Sequence, residues 1–116
     1  MRLVILESPY AGNVARNLRY ARAALRDCLF RGEAPFASHL LYTQDGILTD
    51  ALEAERSLGI SAGLWWARFA EATVVYDDFG VSGGMEIGIA DAVLKNRPVE
   101  YRKLDPKILK IIEARR

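Results

Sequence analysis

Short apolar runs alternate with longer amphipathic stretches along the chain. The stretch RLVILESPY is nearly continuous in apolar residues and ends at Ser-Pro, the pattern of a strand buried on both faces of a parallel sheet. In AGNVARNLRYARAALRDCLFRG, Val14, Leu18, Ala21, Leu25, Cys28 and Leu29 recur at helical spacing, with Asn13 placed as N-cap and Gly32 as the stop. APFASHLLY reads as a second strand, and residues 43–50 as a polar loop turning at Asp45-Gly46. From Thr49 a helical pattern runs through ALEAERSLGISAGLWWARFAEA, with an interruption expected between Gly59 and Gly63. TVVYDD is a third strand, SGGMEIGIADAVLKN a third helix and RPVEY a fourth strand. DPKILKIIEARR closes the pattern as an amphipathic helix, capped by Asp105, with Pro106 at the first helical position and Ile108, Ile111 and Ile112 facing inward.

Strand and helix in strict alternation predict an α/β fold with a parallel sheet, four strands and room for a short fifth, joined by right-handed crossovers. In such sheets ligands bind outside the carboxyl ends of the strands. That rule selects Ser8, Pro9 and Tyr10 after the first strand, Ser38, His39 and Tyr42 at the second, and residues 77–85 after the third.

Composition narrows the field without changing the fold. The 116 residues suffice for one domain with a proper core, spanning 1–116. A net charge of +1 gives no electrostatic reason to expect nucleic acid or an acidic membrane. The single cysteine, Cys28, has no internal disulfide partner and falls on an apolar helix face, which predicts a buried, inert thiol in a cytoplasmic protein. No run approaches the roughly 18 apolar residues of a membrane span, and no signal-peptide pattern opens the chain.

Motifs for the common cofactors are missing: no G-x-G-x-x-G follows the first strand, no Walker lysine occurs, and the lone histidine and cysteine stand far apart. Neither a metal nor a redox cofactor is expected. What remains is the turn GVSGGMEIG, where Ser82, Gly83 and Gly84 lead into a helix whose free N–H groups and dipole favour an anion or polar ligand. Asp77, Asp78 and Glu86 put carboxylates around it, and paired carboxylates can divide acid and nucleophile roles at an anomeric carbon. The plainer alternative is that Asp77 and Asp78 end a strand and cap the next turn. Tyr10 and Tyr42 offer surface for a base. Of Trp65 and Trp66, one is expected to pack inside and the other to meet a partner chain or cover the pocket. The row Arg16, Arg19, Arg22 and Arg26 reads as a solvated helix flank, with at most Arg16 near a ligand.

The segments SPYAGNVARNLRYARAA, PFASHLLYTQ, AERSLGISAGL and VYDDFGVSGGMEIGIADA…RPVEY occur in the order seen in a family of small phage and bacterial proteins of unknown function. Those proteins resemble nucleoside 2-deoxyribosyltransferases. The resemblance covers roughly residues 3–102 and implies a flavodoxin-like three-layer sandwich with a nucleoside or nucleotide pocket at the strand ends. It implies a pocket tyrosine at Tyr10 within Ser8-Pro9-Tyr10, a ligand-gripping aspartate at Asp77 or Asp78, and an attacking glutamate, for which Glu86 is the nearby candidate. Asn17, His39, Tyr42 and the Ser82-Gly83-Gly84-Met85 turn complete the expected ligand set. The S-x-G-M-x-x-E-I pattern usual in the small family, aligned without gaps, sets Gly88 where its glutamate stands, about 200° of helix from Glu86.

The expected function is binding of a nucleoside, nucleotide or nucleotide-derived ligand, with cleavage or transfer of an N-glycosidic bond as its chemistry. The alternative is a phage protein that sequesters a nucleotide immune signal in the host cytoplasm without turning it over. A homo-oligomer is expected, built through the helix around Trp65 and Trp66.

Overall fold

The computed structural model describes residues 1–115, and Arg116, the last residue of the expected terminal helix, lies outside them. The elements are β1 (Arg2–Glu7), α1 (Val14–Phe30), β2 (Glu33–Phe36), α2 (Ser38–Leu41), α3 (Glu53–Ala67), β3 (Ala72–Tyr76), α4 (Gly83–Leu94), β4 (Val99–Arg102) and α5 (Pro106–Ala114). The four strands pair in the order β2-β1-β3-β4, all parallel. This is the α/β sandwich that the alternating pattern predicts, with a sheet compatible with the flavodoxin-like type.

Strand order reverses between β1 and β3, because β1 connects outward to β2 on one side and β3 to β4 on the other. A crevice opens at such a point, above the carboxyl ends of the two central strands. Their register sets Glu7, the last residue of β1, beside Val75.

Alternation along the strands divides the molecule. Val4, Leu6, Val74 and Tyr76 form the main core with Tyr20, Ala24 and Cys28 of α1, Leu104, and Ile112 of α5. Each large apolar side chain buried this way contributes about 1.5–3 kcal/mol. Ile5 and Glu7 face the other way, toward α3 and α4. Cys28 is buried, as its place on the helix requires. Asn13 caps α1 by accepting from the Arg16 N–H, and Asp105 caps α5 by accepting from that of Lys107, with Pro106 opening the helix.

Several local expectations are corrected. The second strand stops at Phe36, and Ser38–Leu41 winds into one helical turn instead of extending to Tyr42. β2 is an edge strand whose pairing with β1 ends at Phe36, opposite Ile5, where the chain turns into α2. No interruption occurs at Gly59 or Gly63, and α3 is continuous. Those glycines instead allow close packing: a Cβ on Gly63 would lie 2.6 Å from the Ser38 Oγ, and one on Gly59 3.4 Å from Leu48. In α1 the buried stripe is Asn17, Tyr20, Ala21, Ala24 and Cys28, while Leu29 is exposed. In α5, Ile112 is buried and Leu109 packs against the core, whereas Ile108 and Ile111 face outward. Neither tryptophan packs inside; Trp65 is 63% and Trp66 55% exposed. Arg19 leaves the solvated flank to donate to the carbonyls of Ile112 and Arg115, tying α1 to the end of α5.

Candidate functional site

Three chain segments converge on the crevice. The first leaves β1 as Glu7-Ser8-Pro9-Tyr10. Its course is fixed by Asn17, buried in α1, whose side-chain amide donates to the carbonyls of Tyr10 at 2.9 Å and Ala11 at 3.0 Å. The tight turn that follows uses Gly12 at φ 97°, a conformation that disfavours side chains.

The second segment is α2. It presents His39, whose Nε2 lies 2.6 Å from the Ser8 Oγ. Burial lowers the imidazole to a pKa of about 4, so His39 is neutral near pH 7, with one ring nitrogen free to accept. Tyr42 closes this side; its ring meets Phe36 edge-on, and its hydroxyl accepts from the Trp66 indole at 3.1 Å.

The third segment is the turn into α4. Ser82 caps the helix by accepting from the Met85 N–H, while the Met85 sulfur accepts from the Ser82 N–H. Met85 is buried, and Gly83 and Gly84 border the opening. Beside them stands Arg56 of α3, its guanidinium 3.7 Å from where a Gly84 Cβ would be. A cation and a helix N-terminus thus face one another.

These segments enclose a cavity of about 210 Å³, lined mainly by apolar atoms of Ile5, Tyr10, Phe36, Tyr42, Ile60 and Leu64. Glu7 projects into it. Burial raises this carboxyl to about 8, with Arg97 pulling the value down and Asp91 pushing it up. No group among the described residues hydrogen-bonds to it. Opposite lies Gly88 of α4, where a Cβ would collide with the Glu7 carboxyl. Arg97 is committed elsewhere: it donates to the Thr73 hydroxyl at 2.9 Å, the Ala67 carbonyl at 3.1 Å and the Asp91 carboxylate at 2.8 Å, locking the floor together.

Of the residues selected from sequence, Ser8, Tyr10, Ser38, His39, Tyr42, Ser82, Gly83, Gly84 and Met85 line this cavity. Pro9, Asn17, Asp77, Asp78 and Glu86 do not. Asp78 accepts from the Tyr20 hydroxyl at 2.6 Å and from the Leu104 N–H at 3.0 Å, and Asp77 pairs with Lys103 at 2.7 Å, so both organise the loop beyond β3. Glu86 is exposed, one position past the buried Met85. The arginine row divides in the same way: Arg16 stacks over Phe79 at 4.0 Å, and Arg22 and Arg26 are exposed.

Glu7, Phe36, Arg56 and Gly88 were not among the residues selected from sequence. Glu7 had a usable signal, since it is the one acid in an apolar run ending just before Ser-Pro at a strand's carboxyl end. Arg56 had none, because its approach to Gly84 depends on how α3 packs on α4. Among the described residues no group of three or more His, Cys, Asp or Glu side chains is arranged to hold a metal, and no helix is long and apolar enough to cross a membrane.

Comparison with known proteins returns one likeness. The model of a family described as "Domain of unknown function (DUF7768)" matches residues 2–102. No curated protein and no solved structure matches.

Proposed function

The chain belongs to the DUF7768 family, a domain of unknown function, and we propose that it binds a nucleoside or nucleotide in the cavity above β1 and β3. The observation that carries this reading is the pairing, across one cavity, of an aromatic wall with an anion-favouring end. Tyr10, Phe36 and Tyr42 supply flat apolar surface for a base. Gly83 and Gly84 at the start of α4, with Arg56 beside them, supply N–H groups and a positive charge for a phosphate. Ser8, held by His39, adds a hydroxyl to the lining. The transferase-like resemblance of the sequence points to the same ligand class.

Calorimetric titration with common nucleosides and their 5′-monophosphates tests the reading. Saturable binding is expected, and Arg56→Gln should weaken the monophosphates by about 1.5–3 kcal/mol, the scale of a charge-assisted hydrogen bond, while leaving nucleosides nearly unchanged. Equal losses for both ligand types would remove Arg56 from the phosphate, and no binding by any compound would end the proposal.

A second reading, sequestration of a nucleotide signal without turnover, is favoured by one placement: Glu86, the glutamate the resemblance puts forward for attack, is exposed and outside the cavity lining. The two readings part on whether free base accumulates.

The outer face of α3 adds an assembly reading. Leu58 and Trp65 are exposed seven residues apart on one side of α3, and Phe69 is exposed in the turn that follows the helix. A second copy related by a two-fold axis would set this apolar surface against itself, which makes a homodimer the reading for this face.

A further inference from the structure

We propose that Glu7 is the reacting group of the cavity, a carboxylic acid that gives its proton to the leaving base of a bound nucleoside or nucleotide while water attacks the anomeric carbon. This rests on the nucleoside-binding reading above and adds to it a residue and a step.

Position comes first. Glu7 ends a central strand, and its backbone is registered beside Val75 of β3, so its side chain leaves a rigid base. It points across the cavity at Gly88, the place on α4 where any side chain would collide with the carboxyl. The missing side chain of Gly88 is what makes room for Glu7.

Partnering comes second. Three carboxyl side chains line the cavity. Glu55 accepts from the Thr49 N–H at 3.0 Å, and Asp50 stands 3.8 Å from the Arg56 guanidinium. Glu7 has neither an ion pair nor a hydrogen bond among the described residues, so its capacity is open to a ligand. The charged and titratable groups around it are Arg97 and Asp91 behind the floor, Arg56 and Glu55 of α3, Asp50 of the preceding loop, and His39 of α2. Arg97 is paired with Asp91 at 2.8 Å, Arg56 stands 3.8 Å from Asp50 and is not among the charges that act on Glu7, and His39 is neutral, so desolvation outweighs the pull of Arg97 on Glu7. Burial then keeps it protonated up to a pH of about 8, the state a general acid needs at neutrality.

The step balances. As the bond between the anomeric carbon and the base nitrogen breaks, the Glu7 proton passes to the departing base. The oxygen of water bonds to the anomeric carbon, and a water proton returns to the Glu7 carboxylate. The products are free base and a sugar or sugar phosphate, with the acid restored.

The test uses the full chain and two variants, Glu7→Gln and Gly88→Ala, the second displacing the Glu7 carboxyl without changing it. Melting curves establish that each is folded. Binding of common nucleosides and their 5′-monophosphates is followed by calorimetry, and free base by chromatography. The wild type is expected to release base at a rate level below pH 8 and falling about tenfold per pH unit above it, as Glu7 ionises. Glu7→Gln should bind ligand yet release base at least about 100-fold more slowly, the scale of a lost general acid, and Gly88→Ala should also be slowed. Binding without base release in the wild type overturns the role of Glu7 and leaves the binding reading standing; absence of binding removes both. Undiminished release by Glu7→Gln, loss in Glu86→Gln instead, or a covalent sugar adduct on Glu7 would each overturn it.

Discussion

At the scale of single residues, two carboxyls, Glu7 and Glu33, have opposite consequences for stability. Burial raises Glu7 from the ordinary 4.5 to about 8, so the folded state holds a proton that the unfolded chain has given up between those values. Glu7 therefore costs stability increasingly as pH rises from 4.5 to 8, and fully above that. Glu7→Gln is expected to raise the melting temperature at pH 9 and to leave it unchanged below pH 4; a loss at pH 9 would contradict this. Glu33 behaves in the reverse sense. Its hydrogen bonds from Arg102, aided by Arg2, hold it down at about 2, so its stabilisation is complete above pH 4.5 and disappears as pH falls toward 2. Glu33→Gln leaves the buried Arg102 guanidinium with Glu100, at 3.0 Å, as its remaining carboxylate and should cost about 1.5–3 kcal/mol at pH 7, the scale of hydrogen bonds to a charged group. Denaturant titrations at pH 7 and pH 3 check it, since the difference must shrink at the lower pH. The sequence made nine lining residues legible, because a strand-end rule reaches the segments that follow the strands. It pointed also to Asp77 and Asp78, since that rule cannot tell a carboxylate facing a ligand from one that caps a loop.

At the scale of elements, the site depends on how closely α2 and α3 approach. Gly63 has the Ser38 side chain in the space a Cβ would take, with Oγ at 2.6 Å and Cβ at 2.7 Å. Gly63→Ala forces α2 outward and should cost about 1–3 kcal/mol, the usual range for overpacking. Because α2 carries His39, the 2.6 Å contact to Ser8 should be lost with it. Adding Ser38→Gly removes both opposing atoms, so the double variant should recover most of the stability; an additive second loss would show that the two do not meet. Here the sequence was least transparent. SHLL carries the residues of a strand, and two glycines four apart look like a break. Only the packing of one helix on another turns the first into a helical turn and the second into a contact face. The two cap residues, Asn13 and Asp105, depend on local spacing and were read directly.

For the whole molecule, the sheet order β2-β1-β3-β4 sets the crevice at its centre, and the chain supplies base-sized aromatic surface, helix N–H groups and an open carboxyl around it. The exposed apolar side of α3, with Phe69 after it, predicts a second copy. Light scattering at micromolar concentration should return twice the chain mass, with Trp65→Glu and Phe69→Glu together giving a folded monomer; a wild-type monomer would refute it. The fold class was legible because alternating elements admit few topologies. The place of Arg56 beside Gly84 was not, since it depends on the packing of α3 on α4. The central claim is that a nucleoside or nucleotide occupies this cavity, and amide-resolved magnetic resonance of the isotope-labelled chain, titrated with nucleoside 5′-monophosphates, tests it most directly. The account predicts saturable shifts centred on Ser8, Gly83, Gly84 and Met85, shared by nucleosides except at the α4 turn. Shifts confined to other surfaces, or none at all, would contradict it.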